Sequence, residues 1–389
     1  MQIHFDLEGS LCLVFLKADV YHLPTIIFIA TIVSLLAVVV AAFTFTTIIV
    51  KRIRNQREQK HVAEAENQIV HELNEHILNY DSISDIPENE LDQTLNNLII
   101  LKDKNEVFKH SLVKIMVYFK HNLTGNISTL ISFTYKRLNL LEVSLGKLNS
   151  NLWFTKAQGL KELQDINDKD SANYVTALLH NKNIDVRIEA YAALQKLKAE
   201  NSFSFFKTET EQLSNWHQIL LVDAIVKSEN DQLPEFKNFL KNENQSLVLL
   251  AIKLIAHYKQ FEAIPELIEL LGSKNEILRH EAICALGTLD ALEAERKLIS
   301  IYPTERNRNK IQILLAIGDI ASGTALNFLK EKFLKADHFT ILKAAASAIM
   351  AHPVEMRDQM LSKLSELDEE QQAIIKHFKD PLIKLHGIY

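Results

Sequence analysis

The chain divides into two parts by its pattern of apolar and polar positions. Residues 23–50 contain no Asp, Glu, Lys or Arg, and an uninterrupted apolar run of this length is typical of a membrane-spanning helix. As a helix, these 28 residues would extend about 42 Å, which exceeds the roughly 30 Å hydrocarbon core of a bilayer. From about residue 151 onward, apolar residues instead recur three and four positions apart, as in helices that bury one face. The pattern therefore predicts one membrane span followed by a helical body.

Small or apolar pairs at the predicted helix centres repeat along the body. The pairs are Ala193-Leu194, Ala224-Ile225, Leu254-Ile255, Ala285-Leu286, Ala316-Ile317 and Ala348-Ile349. They follow each other at spacings of 31, 30, 31, 31 and 32 residues. Each unit has two apolar helical stripes separated by a short polar turn. One such helix pair cannot bury its own apolar face, so neighbouring units must stack.

These units resemble the HEAT-repeat family, in particular the short bacterial HEAT-like units also found in phycobilin lyases. The resembling residues are Asp185-Val186-Arg187, the string NEILRHEA at 275–282, Ala285-Leu286-Gly287 and AIPEL at 263–267. The resemblance covers residues 151–365, about seven units. It implies an all-α fold in which a right-handed α–α superhelix, a HEAT-like solenoid, follows the transmembrane helix.

Several residues recur at equivalent repeat positions, and we interpret them as structural. They are Arg187, Arg279, Ala193, Ala285, Gly287, Ala316 and Gly318. The small residues would let adjacent helices approach closely. For the two arginines we expect an ion pair with an acid of their own or a neighbouring turn, such as Asp185 or Glu276, rather than a bound ligand. Trp153 and Trp216 are interpreted as cap or core residues rather than partner anchors.

The chain is predicted to have six segments. They are a short extracytoplasmic segment (1–22), the transmembrane helix (23–50), a basic juxtamembrane helix (51–80), a helical N-cap region (81–150), the repeats (151–365) and a capping helix (366–389). A thin apolar stripe in the juxtamembrane helix, including Ile69, Leu73 and Ile77, leaves two alternatives open. It could dock on its own domain, or residues 61–80 could self-associate with a second copy.

Charge orients the predicted span. Five basic residues follow it directly, namely Lys51, Arg52, Arg54, Arg57 and Lys60, whereas Lys17 is the one basic residue before it. Because basic flanks stay on the cytoplasmic side, the N-terminus should lie outside and the body inside, at a bacterial inner (plasma) membrane. The whole chain nevertheless carries a formal net charge of −6. An acidic body makes nucleic acid a poor partner, since that affinity rests on basic phosphate contacts.

Composition narrows the chemistry further. Only 9 Gly and 7 Pro occur, which favours long helices, and the two cysteines exclude a disulfide scaffold. Neither GxGxxG, GxxxxGK nor GxSxG is present. His71 and His76 are five residues apart, whereas a zincin helix needs two histidines four apart on one face. The sequence therefore predicts no cofactor, no metal site and no catalytic residue.

One dipeptide, His280-Glu281, is similar to those that deoxyhypusine hydroxylases place on HEAT helices to hold two irons. The equivalent positions in the other units carry no second histidine: they are Ile188, Ile219, Leu249, Ile311 and Lys343. One histidine cannot complete a di-iron site. This count argues against a di-iron enzyme. An enzyme or enzyme subunit of lyase or hydroxylase type stays as the second hypothesis, and a HEAT-type nucleic-acid binder is the third.

The leading hypothesis is a membrane-tethered scaffold that binds an unknown protein on the concave face of the solenoid. The residues around Leu101-Lys102-Asp103-Lys104, Lys147-Leu148, Trp153, Lys156-Ala157 and 159–163 are also similar to the start of the solenoid in a group of single-span bacterial HEAT proteins. That resemblance implies a link to cell-surface glycan synthesis, without indicating a reaction.

Overall fold

A computed structural model describes residues 25–80, 82–200, 202–228, 232–362 and 367–380. Within these ranges the chain is helical and contains no β-strand. The α-helices are α1 (Thr25–His76), α2 (Glu88–Lys104), α3 (Glu106–Asn122), α4 (Gly125–Arg137), α5 (Leu141–Leu148), α6 (Trp153–Ile166), α7 (Ala172–Thr176), α8 (Ile184–Lys196), α9 (Phe205–Thr208), α10 (Asn215–Lys227), α11 (Gln245–His257), α12 (Ile264–Leu270), α13 (Glu276–Thr288), α14 (Glu295–Ile301), α15 (Asn307–Ile320), α16 (Leu326–Leu334), α17 (Phe339–Ala351), α18 (Val354–Leu361) and α19 (Glu369–Lys379). They form two compact units, unit 1 (Met1–Val143) and unit 2 (Ser144–Tyr389).

The first helix of unit 1 unites two segments that the sequence analysis treats separately. Helix α1 runs for 52 residues without a break, through both the predicted span and the basic segment after it. Its first half exposes large apolar side chains, among them Leu35 and Phe43 at 70% and 68%. By length and composition it is the one helix among the described residues that could cross a membrane. Residues 1–24, which include the predicted outer segment, lie outside the described residues.

Four threonine hydroxyl groups in the apolar half of α1 are satisfied within the helix itself. Thr31, Thr44 and Thr47 each donate a hydrogen bond to the carbonyl three residues earlier, at distances of 2.7–2.8 Å. Thr46 donates to the carbonyls of Ala42 and Phe43. This bonding matters in hydrocarbon, where an unpaired polar group is costly.

The second half of α1 packs on α2 and α3. Ala65, Ile69, Leu73 and Ile77 are completely buried there. The apolar stripe thus docks on its own domain, which was one of the two alternatives. Self-association through residues 61–80 stays a prediction, and it would have to use the exposed face of the helix.

Unit 2 is built from helix pairs. The second helix of each pair contacts the second helix of the next pair along the chain. We call α8, α10, α11, α13, α15 and α17 the row helices. Each contacts the next, while α12, α14 and α16 each pack against the row helix that follows them. All twelve residues of the repeating central pairs are at most 3% exposed. The repeat register read from the sequence is therefore the register of the buried core.

Polar side chains begin the row helices at the same period. Asn183, Ser214, Asn244 and Asn275 each cap the N-terminus of a row helix by accepting a hydrogen bond from a backbone N–H of its first turn. Such caps satisfy amide groups that have no partner inside the helix. They stand 31, 30 and 31 residues apart, so the helix starts repeat together with the core.

A second structural period marks the ends of helices. Asn167, Lys198, Lys259, Asp290 and Ala321 all adopt left-handed backbone conformation, with φ between 46° and 57°. The spacings are 31, 61, 31 and 31 residues. The position in between, near residue 229, lies outside the described residues. Each of these residues reverses the chain after a core helix, a role that glycine usually fills.

Candidate interaction surface

The exposed side of the row helices carries apolar side chains. Trp216 and Ile219 on α10 are 65% and 59% exposed, and Ile277 on α13 is 50% exposed. Leu249 is half-exposed on α11, the row helix between these two. Trp216 and Ile277 occupy the same repeat position, 61 residues apart. We call Trp216, Ile219, Leu249 and Ile277 the apolar strip.

The first turn that presents Trp216 is held in place by a capping box. Ser214 accepts a hydrogen bond from the N–H of His217, and the His217 Nδ1 accepts one from the N–H of Ser214. Because Nδ1 accepts, the proton lies on Nε2, which donates to Asp185 Oδ1 at 2.9 Å. Asp185 belongs to the first turn of α8, so the capping box ties α10 to its neighbour.

The two tryptophans differ from the sequence interpretation in one respect. Trp153 and Trp216 both stand in the first turn of a helix, as a cap interpretation requires. Neither is a core residue, because they are 49% and 65% exposed. The apolar pattern could not reveal this, since α10 carries apolar residues on both its buried and its exposed sides.

The recurring arginines join successive helix pairs. Arg187 binds Glu209 through two parallel bonds, with Nε to Oε2 at 2.8 Å and Nη2 to Oε1 at 2.9 Å. Its third nitrogen donates to the carbonyl of Asn181. Arg279 repeats this arrangement: it binds Glu305 through Nε and Nη2 and donates to the carbonyl of Ser273. Each guanidinium therefore clamps the turn before its own helix to the turn before the next row helix.

The acids named in the sequence analysis are not the partners of these arginines. Asp185 pairs with His217, and Glu276 pairs with Arg306 at 3.2 Å. The arginines nonetheless form ion pairs with acids of a neighbouring turn, as expected. The partners are Glu209 for Arg187 and Glu305 for Arg279. Burial alone would raise the pKa of Glu305, but the hydrogen bonds from Arg279 and Asn309 outweigh it and lower that pKa.

The small residues at helix centres lie where row helices approach each other most closely. A Cβ atom on Gly287 would stand 2.8 Å from Ala316 Cα, and one on Gly318 would stand 2.7 Å from Ala348 Cα. Ala285 and Ala193 are likewise buried, at 2% and 0% exposure. A larger side chain at either glycine would push adjacent row helices apart.

The start of unit 2 contains a buried ion pair that the sequence analysis missed. Lys147 on α5 binds Glu162 on α6 at 2.5 Å, and both residues are at most 7% exposed. Ser144 and Gln158 complete the set by donating to the same carboxylate. Gly159 brings the two helices together, because a Cβ there would stand 2.9 Å from Lys147 Cβ. Each of these side chains forms a hydrogen bond or ion pair within the cluster, which therefore holds α5 and α6 together.

The five basic residues after the apolar half of α1 form a collar around the helix. Lys51, Arg52, Arg54, Arg57 and Lys60 are all exposed. At about 100° per residue they point in different directions around the axis. Two of them engage acids one turn further along, Arg54 with Glu58 and Lys60 with Glu64. We call these five residues the basic collar.

The histidines considered as possible metal ligands form side-chain contacts with neighbouring polar residues. His280 Nδ1 lies 3.0 Å from Asn309 Oδ1, His71 pairs with Glu75, and His76 pairs with Glu90. Burial raises the pKa of the Cys284 thiol to about 12, so it carries little thiolate at neutral pH. Across the described parts of the chain, no group of three or more His, Cys, Asp or Glu side chains could hold a metal ion.

Comparison with known proteins assigns no family to the chain. No protein-family model and no curated protein sequence matches it. Among solved structures, two engineered proteins of the Northeast Structural Genomics Consortium are similar, both at 15% identity. One has a TM-score of 0.30 and covers 57% of this chain and 97% of its own. The other has a TM-score of 0.31 and covers 74% of this chain and 82% of its own. Human deoxyhypusine hydroxylase in complex with glycerol is similar at 14% identity and a TM-score of 0.29, covering 78% of this chain and 98% of its own. At TM-scores this low, the description of the fold rests on the helix packing given above.

Proposed function

We propose that the chain is a membrane-anchored scaffold that binds a protein partner. In this proposal the apolar half of α1 crosses the inner membrane of a bacterium, with the N-terminus outside and both units in the cytoplasm. The row helices then belong to a HEAT-like, right-handed solenoid. The observation that carries the proposal is α1 itself, a single helix whose first half exposes only what a bilayer would cover and whose second half is part of a folded unit.

Two further features support the scaffold reading. The basic collar lies at the end of the apolar half where the positive-inside rule places the cytoplasm. The apolar strip offers an exposed tryptophan, a residue type enriched among those that contribute most to protein binding, together with aliphatic side chains on the row helices that follow. Tethering would raise the local concentration of the partner at the membrane. The resemblance to single-span bacterial HEAT proteins points to a partner in cell-surface glycan synthesis.

The anchor is tested on the full chain in isolated membranes. We expect the protein to resist alkaline extraction and to expose unit 2, and not residues 1–22, to protease added from the cytoplasmic side. Solubility after alkaline extraction would overturn the anchor, and protection of unit 2 would overturn the orientation.

The scaffold is tested by capture from detergent-solubilised membranes. We expect a specific protein to be retained by the full chain and lost when Trp216, Ile219 and Ile277 are all changed to alanine. The control is Phe261→Ala with Leu292→Ala, two apolar residues of similar exposure (53% and 61%) that begin the short 3-10 turns before α12 and α14 and do not lie on row helices. Retention of the partner by the first variant, or equal loss in both, would count against the apolar strip as the interface.

A further inference from the structure

Unit 1 is electrically polarised along its sequence. Residues 61–101 contain nine Asp and Glu and no Lys or Arg. Residues 102–143 contain seven Lys and Arg and three Asp and Glu. The structure shows where these two groups lie relative to the apolar half of α1.

The direction of each helix follows from its side-chain contacts. Glu90 and Asn97 on α2 contact His76 and Glu72 on α1, respectively, so α2 runs antiparallel to α1. A single residue, Asn105, separates α2 from α3, which packs back along α2. The α2–α3 turn therefore points toward the apolar half of α1, and the acidic start of α2 points away from it.

Helix α4 brings more positive charge to the same end. It packs on α3, with Lys120 of α3 bonded to the carbonyl of Ser128 near its start. At the other end, Lys102 donates a hydrogen bond of 3.0 Å to the carbonyl of Leu138, which follows α4 directly. Lys136 and Arg137, the last residues of α4, thus lie beside the α2–α3 turn. We call Lys104, Lys109, Lys136 and Arg137 the basic end of unit 1.

The charges of the basic end are accessible. Lys104, Lys136 and Arg137 are exposed and Lys109 is half-exposed. Lys104 and Arg137 lie over the rings of Phe108 and Phe133, contacts that do not neutralise either charge because the rings are uncharged. The acids in the same stretch of sequence are Asp103, Glu106 and Glu142, of which Asp103 is paired with Lys102 and Glu106 with Lys109. Glu58 and Glu64 of α1 are paired with Arg54 and Lys60. Positive charge therefore prevails at this end.

The distance to the membrane is set by α1. Lys114 on α3 contacts Glu66 at 2.7 Å, and α3 runs parallel to α1. Eight residues earlier on α3, Glu106 begins the helix at a level near residue 58 of α1, whereas the Asn97–Glu72 contact places Asn105 near residue 64. At about 1.5 Å per residue, the basic end lies roughly 12–21 Å beyond residue 50. Lipid headgroups occupy the first several Å of that interval, and a Debye length of about 8 Å covers the part nearest to them.

We propose that the basic end of unit 1 rests on anionic lipid headgroups, as a second membrane contact beside the basic collar. The inference rests on the proposed membrane anchor. A negatively charged surface attracts Lys and Arg within a Debye length of it, whereas the acidic far end lies beyond that range. Attraction of the basic end alone would therefore hold unit 1 with its α2–α3 turn against the bilayer.

The experiment measures how close the basic end comes to the bilayer in the full chain. A fluorophore is attached to Ile100→Cys in a Cys12→Ser/Cys284→Ser background, because Ile100 is uncharged and 67% exposed on α2. Energy transfer to acceptor-labelled headgroups is recorded in nanodiscs of neutral phosphatidylcholine and in nanodiscs with roughly 30% phosphatidylglycerol. We expect higher transfer with the anionic lipid and loss of the difference at about 1 M salt, where the Debye length is ~3 Å.

Matched variants separate this contact from a general effect of charge. Lys104→Gln/Lys136→Gln/Arg137→Gln should abolish the dependence on anionic lipid. Lys241→Gln/Arg296→Gln/Lys297→Gln, which removes three exposed cations of unit 2, should preserve it. Equal transfer in both lipids, or an unchanged response of the first variant, would overturn the inference. Failure of the chain to enter nanodiscs at all would instead overturn the proposed anchor.

Discussion

Arg279 and Glu305 meet in a two-pronged ion pair, with Nε–Oε1 and Nη2–Oε2 distances of 2.5 and 3.0 Å. The glutamate is almost fully buried and the arginine side chain is 19% exposed. Arg187 and Glu209 form the same pair further toward the N-terminus. Each ion pair joins two neighbouring repeats of the chain. It therefore links repeats to each other rather than stabilising a single repeat.

Removing one partner of this pair should cost considerably more than removing a surface pair. Arg279→Gln leaves the Glu305 carboxylate buried with fewer donors, and we expect a loss of about 2–4 kcal/mol in the free energy of unfolding. The control is Arg306→Gln, because Arg306 is 82% exposed in its pair with Glu276 and should cost less than about 0.5 kcal/mol. Thermal unfolding of the detergent-solubilised chain, followed by circular dichroism, measures both. Equal effects of the two substitutions would contradict the clamp.

The same carboxylate should make stability depend on pH. The pKa of Glu305 is lower in the folded chain than its ordinary value of 4.5. Its contribution is therefore complete above about pH 4.5 and is lost as the pH falls through the folded pKa. We expect the difference in unfolding midpoint between the native chain and Glu305→Gln to be largest near neutral pH and to shrink below about pH 4.5. A difference that stays constant as the solution is acidified would refute this.

Glycine should be better than alanine at position 321. Ala321 ends α15 with a φ of 46°, a conformation that costs a side-chain-bearing residue roughly 1 kcal/mol. Ala321→Gly should therefore stabilise the chain by about 0.5–1 kcal/mol. At Ala177, which is exposed with a φ of −62°, the same substitution should destabilise it, because glycine loses more backbone freedom on folding. Unfolding midpoints are measured for both variants. A shift of both midpoints in the same direction would contradict this prediction.

The converse exchange should be harmful at Gly318. A Cβ atom there would stand 2.7 Å from Ala348 Cα, and a backbone atom cannot move aside without shifting α17. We expect Gly318→Ala to cost about 1–3 kcal/mol. Gly146 lies in α5 with no atom within 4 Å of an added Cβ, so Gly146→Ala should stabilise its helix by up to about 1 kcal/mol. Chemical denaturation of both variants provides the measurement.

The periodic core could be predicted from sequence because its signal lies in the residue types themselves. Ala285-Leu286 and Ala316-Ile317 are chemically alike and fall one repeat apart, so a search for a fixed spacing finds them. All the central pairs that this search identifies are buried. The capping Asn and Ser residues repeat in the same way, so their positions carry the same periodic signal.

The contacts between repeats could not be predicted, since their partners lack a common spacing. Glu209 stands 22 residues after Arg187, whereas Glu305 stands 26 residues after Arg279. The left-handed residues are periodic in structure but share no chemistry, being Asn, Lys, Asp and Ala. The orientation of Trp216 was equally hidden, because an apolar residue on a helix with two apolar sides does not reveal which side meets solvent.

The unbroken helix α1 also has a mechanical consequence. No loop separates its apolar half from the segment buried against α2 and α3. If the apolar half crosses a bilayer as proposed, a change in its tilt is passed to unit 1 without a hinge to absorb it. Membrane thickness influences such tilt. The helix extends 26 residues beyond residue 50, so a change of roughly ten degrees would move His76 by about 7 Å. Under the proposed anchor, unit 1 would therefore move as one rigid piece with the apolar half of α1.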